Sequence, residues 1–166
     1  MPTEPAGTPN QAPSKTLLLG MGSPILSDDG VGLFVVRSLV GRVPGLDVDE
    51  AHITGLGLLD RIGGYDRIFL ADAMISENAE PGEVLIFPPS TGTLHLASSH
   101  GLDFADLLEM GRSGGLAMPE DVTIYGIPIK TPVAFGEELT GDMAEKFPRI
   151  VEIIEADIRR RMALPL

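Results

Sequence analysis

Three positions in the chain bring together side chains able to hold a divalent cation. Asp29 follows a short apolar run, Thr16-Leu17-Leu18-Leu19, that ends in Gly20-Met21-Gly22. Asp72 closes a second apolar run, Arg67-Ile68-Phe69-Leu70-Ala71, and His100 stands in Ser98-Ser99-His100-Gly101 ahead of a helical stretch. Two carboxylates and one imidazole form an O,O,N donor set suited to zinc, nickel, manganese or ferrous iron, with positions left open for water or substrate. Taken singly, each has an ordinary alternative. A strand-end Asp is commonly a solvated or capping residue, and a loop His commonly makes a plain hydrogen bond. Only a fold that converges them makes a site.

The surrounding pattern predicts such a fold. The run at Thr16 to Leu19 suits a strand buried on both faces of a parallel sheet. A helix is expected from about Gly30 to Val40, with Val31, Phe34, Val35 and Leu39 at helical spacing and Asp28 and Asp29 where carboxylates favour a helix N-terminus. Further strands are predicted over Leu46 to Ile53, Arg67 to Asp72, Gly82 to Pro88 and Val122 to Ile129. Further helices are predicted over Gly57 to Ile62, Leu102 to Met110 and about Thr140 to Met162, the last kinked or restarted at Pro148. Alternating strands and helices imply a three-layer α/β/α sandwich around a mostly parallel, twisted sheet of about five strands. In such sheets ligands bind outside the carboxyl ends of the strands, where the strand order reverses. Asp29 after strand one and Asp72 at the end of strand three are placed for that edge, and the His100 loop could open onto it.

Composition narrows the chemistry. The chain of 166 residues has no cysteine, so disulfides, thiolate zinc sites, iron–sulfur clusters and a cysteine nucleophile are excluded. Its 24 acidic and 12 basic residues leave a formal net charge of −12, which repels a phosphate backbone and argues against nucleic acid as a partner. No apolar run approaches the ~20 residues that span a bilayer, and the first residues lack the pattern of a secretory signal. A cytoplasmic protein with no membrane contact is therefore expected, and we take it as a monomer. Residues 1–14, MPTEPAGTPNQAPS, carry four prolines and no large apolar residue after Met1; they read as a disordered extension to a single domain over residues 15–166.

With these residues in place, the chain resembles a known family. Gly20-Met21-Gly22-Ser23-Pro24-Ile25-Leu26-Ser27-Asp28-Asp29-Gly30-Val31-Gly32 is similar to the N-terminal signature of the [NiFe]-hydrogenase maturation endopeptidases, G-x-G-N-x-x-x-x-D-[DE]-x-x-G. Gly64-Tyr65-Asp66-Arg67 leading into Leu70-Ala71-Asp72-Ala73, then Pro81-Gly82-Glu83, then Ser99-His100-Gly101-Leu102, follow in the family's order. Matched position by position, the family's metal ligands fall on Asp29, Asp72 and His100. The resemblance implies an endopeptidase whose partner is the precursor of a [NiFe]-hydrogenase large subunit. It would remove a short C-terminal extension after nickel insertion, with Asp29, Asp72 and His100 as catalytic residues engaging that substrate-borne nickel. Asp28 is a possible general base, with a helix-capping role as its competitor.

Two positions depart from the family pattern. Ser23 stands where Asn is usual, and Glu50-Ala51-His52-Ile53-Thr54-Gly55 replaces a D-G-G-T block. His52 would either add an imidazole to the site or be a strand-end histidine satisfied by backbone; His95 reads as structural or surface. A receiver domain is the alternative architecture, with Asp72 as a magnesium-dependent phosphoacceptor and Lys130 as its lysine. Its acid pair would directly follow the strand, whereas Gly20 to Ser27 intervene here. A dinucleotide-binding loop would need a third glycine where Ile25 stands, and no G-x-S-x-G elbow is present for a serine hydrolase.

Overall fold

The computed structural model describes residues 13–52, 55–89, 104–131 and 133–166. The expected disordered extension falls outside these residues except for Pro13 and Ser14, and His95 and His100 lie outside them altogether. In chain order the elements are β1 (Thr16–Met21), α1 (Val31–Leu39), β2 (Leu46–Ala51), α2 (Leu59–Ile62), β3 (Arg67–Met74), β4 (Leu85–Phe87), α3 (Phe104–Ser113), β5 (Asp121–Pro128) and α4 (Gly141–Met162). Two 3-10 turns, Ser27–Gly30 and Gly55–Leu58, lead into α1 and α2.

One sheet carries all five strands in the order β2-β1-β3-β5-β4. The first four are mutually parallel, and β4 runs antiparallel along β5 with Ile86 opposite Tyr125. β1 and β3 are buried at every position because helices cover both faces, so their apolar runs do not alternate. Along β1, Leu18 joins Val31, Val35, Phe69, Ile150 and Ile154 on the α1/α4 side. Leu17 and Leu19 join Ile62, Ile68, Leu70, Phe104 and Leu107 on the α2/α3 side. The expected three-layer sandwich is therefore present, and each such fully buried leucine contributes about 1.5–3 kcal/mol. β2, at the sheet edge, is only partly buried, and Asp47, Asp49 and Glu50 on it discourage pairing with another chain.

The element boundaries differ from expectation in informative places. β3 continues two residues past Asp72 to Met74, because β5 keeps pairing with it through Met74↔Pro128; Asp72 thus lies inside the strand and does not end it. The expected strand from Gly82 shortens to Leu85–Phe87. α4 runs unbroken from Gly141 to Met162 with Pro148 inside it, so no restart occurs. Pro148 cannot donate to the Ala144 carbonyl, but both residues are exposed, where water can take that carbonyl.

Candidate functional site

The strand order places the topological switch point between β1 and β3. From β1 the chain turns through α1 to β2 on one side, then returns to β3 on the other. The crevice beyond the carboxyl ends of these two strands is where open α/β sheets bind ligands. Asp29, in the turn after β1, and Asp72, one residue past the last β1–β3 pair Gly20↔Ala71, both belong to it.

Local backbone geometry brings Asp29 there. Gly22 has φ +146°, and a Cβ on it would lie 2.2 Å from the Asp29 carbonyl oxygen, so the chain folds back on itself only with glycine here. One turn later, a Cβ on Gly32 would meet the carbonyl oxygens of Ala71 at 2.2 Å and Met21 at 2.5 Å. Its absence lets the start of α1 lie directly on β1 and β3. Asp29 is buried; its Oδ2 accepts the Ser23 amide at 2.9 Å, and its own amide donates to the Leu26 carbonyl at 2.9 Å. This contact comes from the backbone of residue 23 and does not depend on its side chain. The Ser23 hydroxyl is left to a long 3.5 Å contact from the Ile25 amide.

Asp72 is fully buried, and among the described residues neither carboxylate oxygen has a hydrogen-bond partner. Burial first, and then the negative charge of Asp29, hold its carboxyl well above the usual carboxylate range; the nearby Ala73 amide pulls weakly the other way, short of hydrogen-bond geometry. An ionised carboxylate with no partner in such surroundings is costly and persists only as the neutral acid or beside a cation. By strand alternation Asp72 shares the sheet face of Ile68 and Leu70, on which α2 and α3 pack. Its register neighbour on β5 is Gly126, which has no side chain to satisfy it.

Asp28 has a different task from either one expected. It does not cap α1, whose N-cap Gly30 has no side-chain bond. Instead its Oδ1 accepts the Thr140 amide at 2.8 Å and its Oδ2 accepts the Thr140 hydroxyl at 2.8 Å, so each oxygen is engaged by Thr140. Before it, Ser27 has φ +39°, a left-handed conformation that costs a residue with a Cβ about 1–2 kcal/mol. Nothing in the sequence marks the Asp28–Thr140 pair; Thr140 is recognisable only as a threonine preceding a helix. Asp28 and Thr140 border a cleft of about 360 Å³ lined also by Lys130, Val133 and Asp142.

The remaining candidates have partners of their own. His52 is exposed, with Nε2 at 3.4 Å from Glu50 Oε2, so a carboxylate and not the expected backbone faces it. Glu50 is in turn held by Arg37 at 2.7 and 2.8 Å; that guanidinium keeps its carboxyl below the usual range against the opposing effect of burial. Lys130 pairs with Asp142, while Asp72 is sealed from solvent; a receiver requires an accessible phosphoacceptor with the lysine directed at it. Among the described residues no three His, Asp or Glu side chains are grouped to hold a metal, which leaves Asp29 and Asp72 as a pair. Among the same residues no helix is long and apolar enough to cross a membrane.

No protein-family model matches the chain. A curated relative, the hydrogenase 2 maturation protease of Escherichia coli (strain K12), is 29% identical over 120 residues, covering 68% of this chain and 72% of the relative. A solved [NiFe] hydrogenase maturation protease HybD from Thermococcus kodakarensis is 25% identical, with a TM-score of 0.60 over 86% of this chain and 97% of that one. In sequence and in fold the chain is similar to hydrogenase maturation proteases. The E. coli endopeptidase HybD shares the fold at a TM-score of 0.70 over 89% of this chain and 93% of that one, with 22% identity. Set against that family's pattern, the sequence keeps the first block and the strand-borne acid and departs at Ser23 and at Glu50 to Thr54.

Proposed function

We propose that this maturation protease removes the C-terminal extension of a [NiFe]-hydrogenase large-subunit precursor, and that it recognises the precursor by nickel already inserted near the cut. The observation that carries this reading is Asp72: a buried carboxylate with both oxygens unspent, beside a second acid, at the ligand-binding edge of the sheet. A pair of this kind is unfavourable alone and favourable around a cation. Oxygen donors from Asp29 and Asp72, joined by an imidazole, suit a borderline divalent ion.

His100 is the third ligand in this proposal. It precedes Phe104, the first residue of α3, by four positions. α3 leads down to the start of β5, which runs parallel to β1 and β3, so α3 begins at the edge where Asp29 and Asp72 sit. Phe104 also packs on the sheet face that Asp72 shares. These placements support His100; its side chain lies outside the described residues.

Each group of the chain then has a role. Asp29, oriented by the Ser23 amide, and Asp72, unpaired until a cation arrives, take up the precursor's nickel, and the scissile peptide is placed beside them. Nickel so held supplies Lewis acidity to the peptide carbonyl or to an attacking water. The test is to incubate the enzyme with nickel-loaded and nickel-free precursor and follow the mobility shift on tail removal. Cleavage of the loaded form alone is expected; equal cleavage of both would overturn nickel recognition.

A further inference from the structure

We propose that Asp28 is a positioning residue for the reaction, a clamp that fixes the aim of Asp29 by tying its turn to the N-terminus of α4. The proposal rests on Asp29 being a ligand at the site, as argued above.

The turn that carries Asp29 has little to hold it in its own sequence. Ser27 is in a left-handed conformation, and among the described residues the Asp29 side chain has the single Ser23 amide as its hydrogen-bond partner. The turn is instead stitched to a segment far along the chain. The Ser27 amide donates to the Gly136 carbonyl at 2.8 Å, the Gly136 amide donates to the Ile25 carbonyl at 3.0 Å, and Leu26 and Gly136 form an isolated bridge. Asp28 completes the seam with its two 2.8 Å bonds from Thr140, 112 positions away in sequence. Thr140 is a firm anchor because α4 begins directly after it, with Met143, Ile150, Val151, Ile154 and Ile158 buried in the core. The clamp itself is buried at Asp28, where charge-accepting bonds of this type are strong.

This arrangement separates geometry from charge. In Asp28→Asn, Oδ1 can accept the Thr140 amide while Nδ2 donates to the Thr140 hydroxyl oxygen, so the seam survives without the negative charge. In Asp28→Ala both bonds are lost and Ser27 is free to relax. Thr140→Val keeps the amide donor and loses the hydroxyl. A residue acting as a base or as a charge beside the metal would be disabled by asparagine as fully as by alanine.

The experiment measures kcat and KM on nickel-loaded precursor across the neutral pH range for Asp28→Ala, Asp28→Asn, Thr140→Val and Asp29→Ala. Amide hydrogen exchange over residues 23–30 is followed in the same proteins. We expect Asp28→Asn to stay within about threefold of the unmodified enzyme with the same pH profile. Asp28→Ala should lose on the order of 10²-fold in kcat, the scale of a small misplacement at a reacting centre, with KM little changed and faster exchange over residues 23–30. Thr140→Val should fall between them. Loss in Asp28→Asn equal to that in Asp28→Ala would overturn the clamp in favour of a charge or proton role. Unchanged rates and exchange in Asp28→Ala would overturn it outright. Should Asp28→Ala fail to fold, Asp28→Asn and Thr140→Val decide the matter by the same criteria. Full activity in Asp29→Ala would refute the site assignment instead; exchange over residues 23–30 then still reports whether Asp28 holds the turn.

Discussion

Replacing Asp72 by asparagine separates what this residue does for folding from what it does for the reaction. In the native protein burial, reinforced by Asp29, keeps its carboxyl protonated well above the usual range, whereas in the unfolded chain the group loses its proton near ~3.9. Below that pH both states hold the proton, and no penalty arises. Above it, and until the native carboxyl itself ionises, the native state binds one proton more than the unfolded state. Stability then falls as pH rises, by about 1.4 kcal/mol for each pH unit. Asparagine has no such proton to lose. It leaves a buried amide short of partners, a pH-independent cost of about 1–3 kcal/mol, so the informative quantity is the slope and not the offset. Urea denaturation of both proteins at several pH values above about 4 should show the stability difference moving toward the variant as pH rises, by at most about 1.4 kcal/mol per pH unit. The same variant should cleave no precursor. A stability difference that does not change with pH would refute the picture of a buried, protonated orphan acid.

Other outcomes follow from particular contacts. Gly32→Ala places a Cβ against the Ala71 and Met21 carbonyls, so α1 must lift from the sheet; a loss of about 1–3 kcal/mol is expected by urea denaturation, with slower processing because the Asp29 turn moves with the helix. Tyr125→Phe removes the 2.9 Å bond from the Tyr125 hydroxyl to Asp157, a loss of about 0.5–1.5 kcal/mol. Burial, with Asp157 adding to it, holds that phenol protonated far into the alkaline range, so the difference should be flat from neutral to mildly alkaline pH. His100→Ala should abolish cleavage and leave the denaturation midpoint unchanged; retained cleavage removes His100 from the site.

Much of the fold was legible in the chain because its signals are local. The apolar runs at Thr16 to Leu19 and Arg67 to Ala71, and the helical spacing from Val31 to Leu39, are set by which side chains must leave water. Boundaries that depend on a partner were not. β3 extends to Met74 because β5 continues beside it, and the short β4 is defined only by its antiparallel pairing with β5. His52 stood one residue beyond β2 with no local sign that Glu50 would face it. Pro148 looked like a break, yet α4 continues through it because the apolar residues on either side, Met143 and Ile150, share one buried face.

The sequence alone determined the donor inventory, the strand and helix alternation, and the acids and glycines that resemble the maturation proteases. These properties reside in residue types and spacing over a few positions, where covalent geometry and side-chain chemistry suffice. The tertiary structure alone decided what state those acids are in. Asp28 and Asp29 are neighbours in sequence and both are buried, yet one spends its oxygens on Thr140 and the other turns to Ser23. Asp72, indistinguishable by type, has no hydrogen-bond partner among the described residues. Whether a carboxylate is a clamp, an oriented ligand or an orphan awaiting a cation depends on donors and low-dielectric surroundings supplied from distant segments, and only folding brings those segments together.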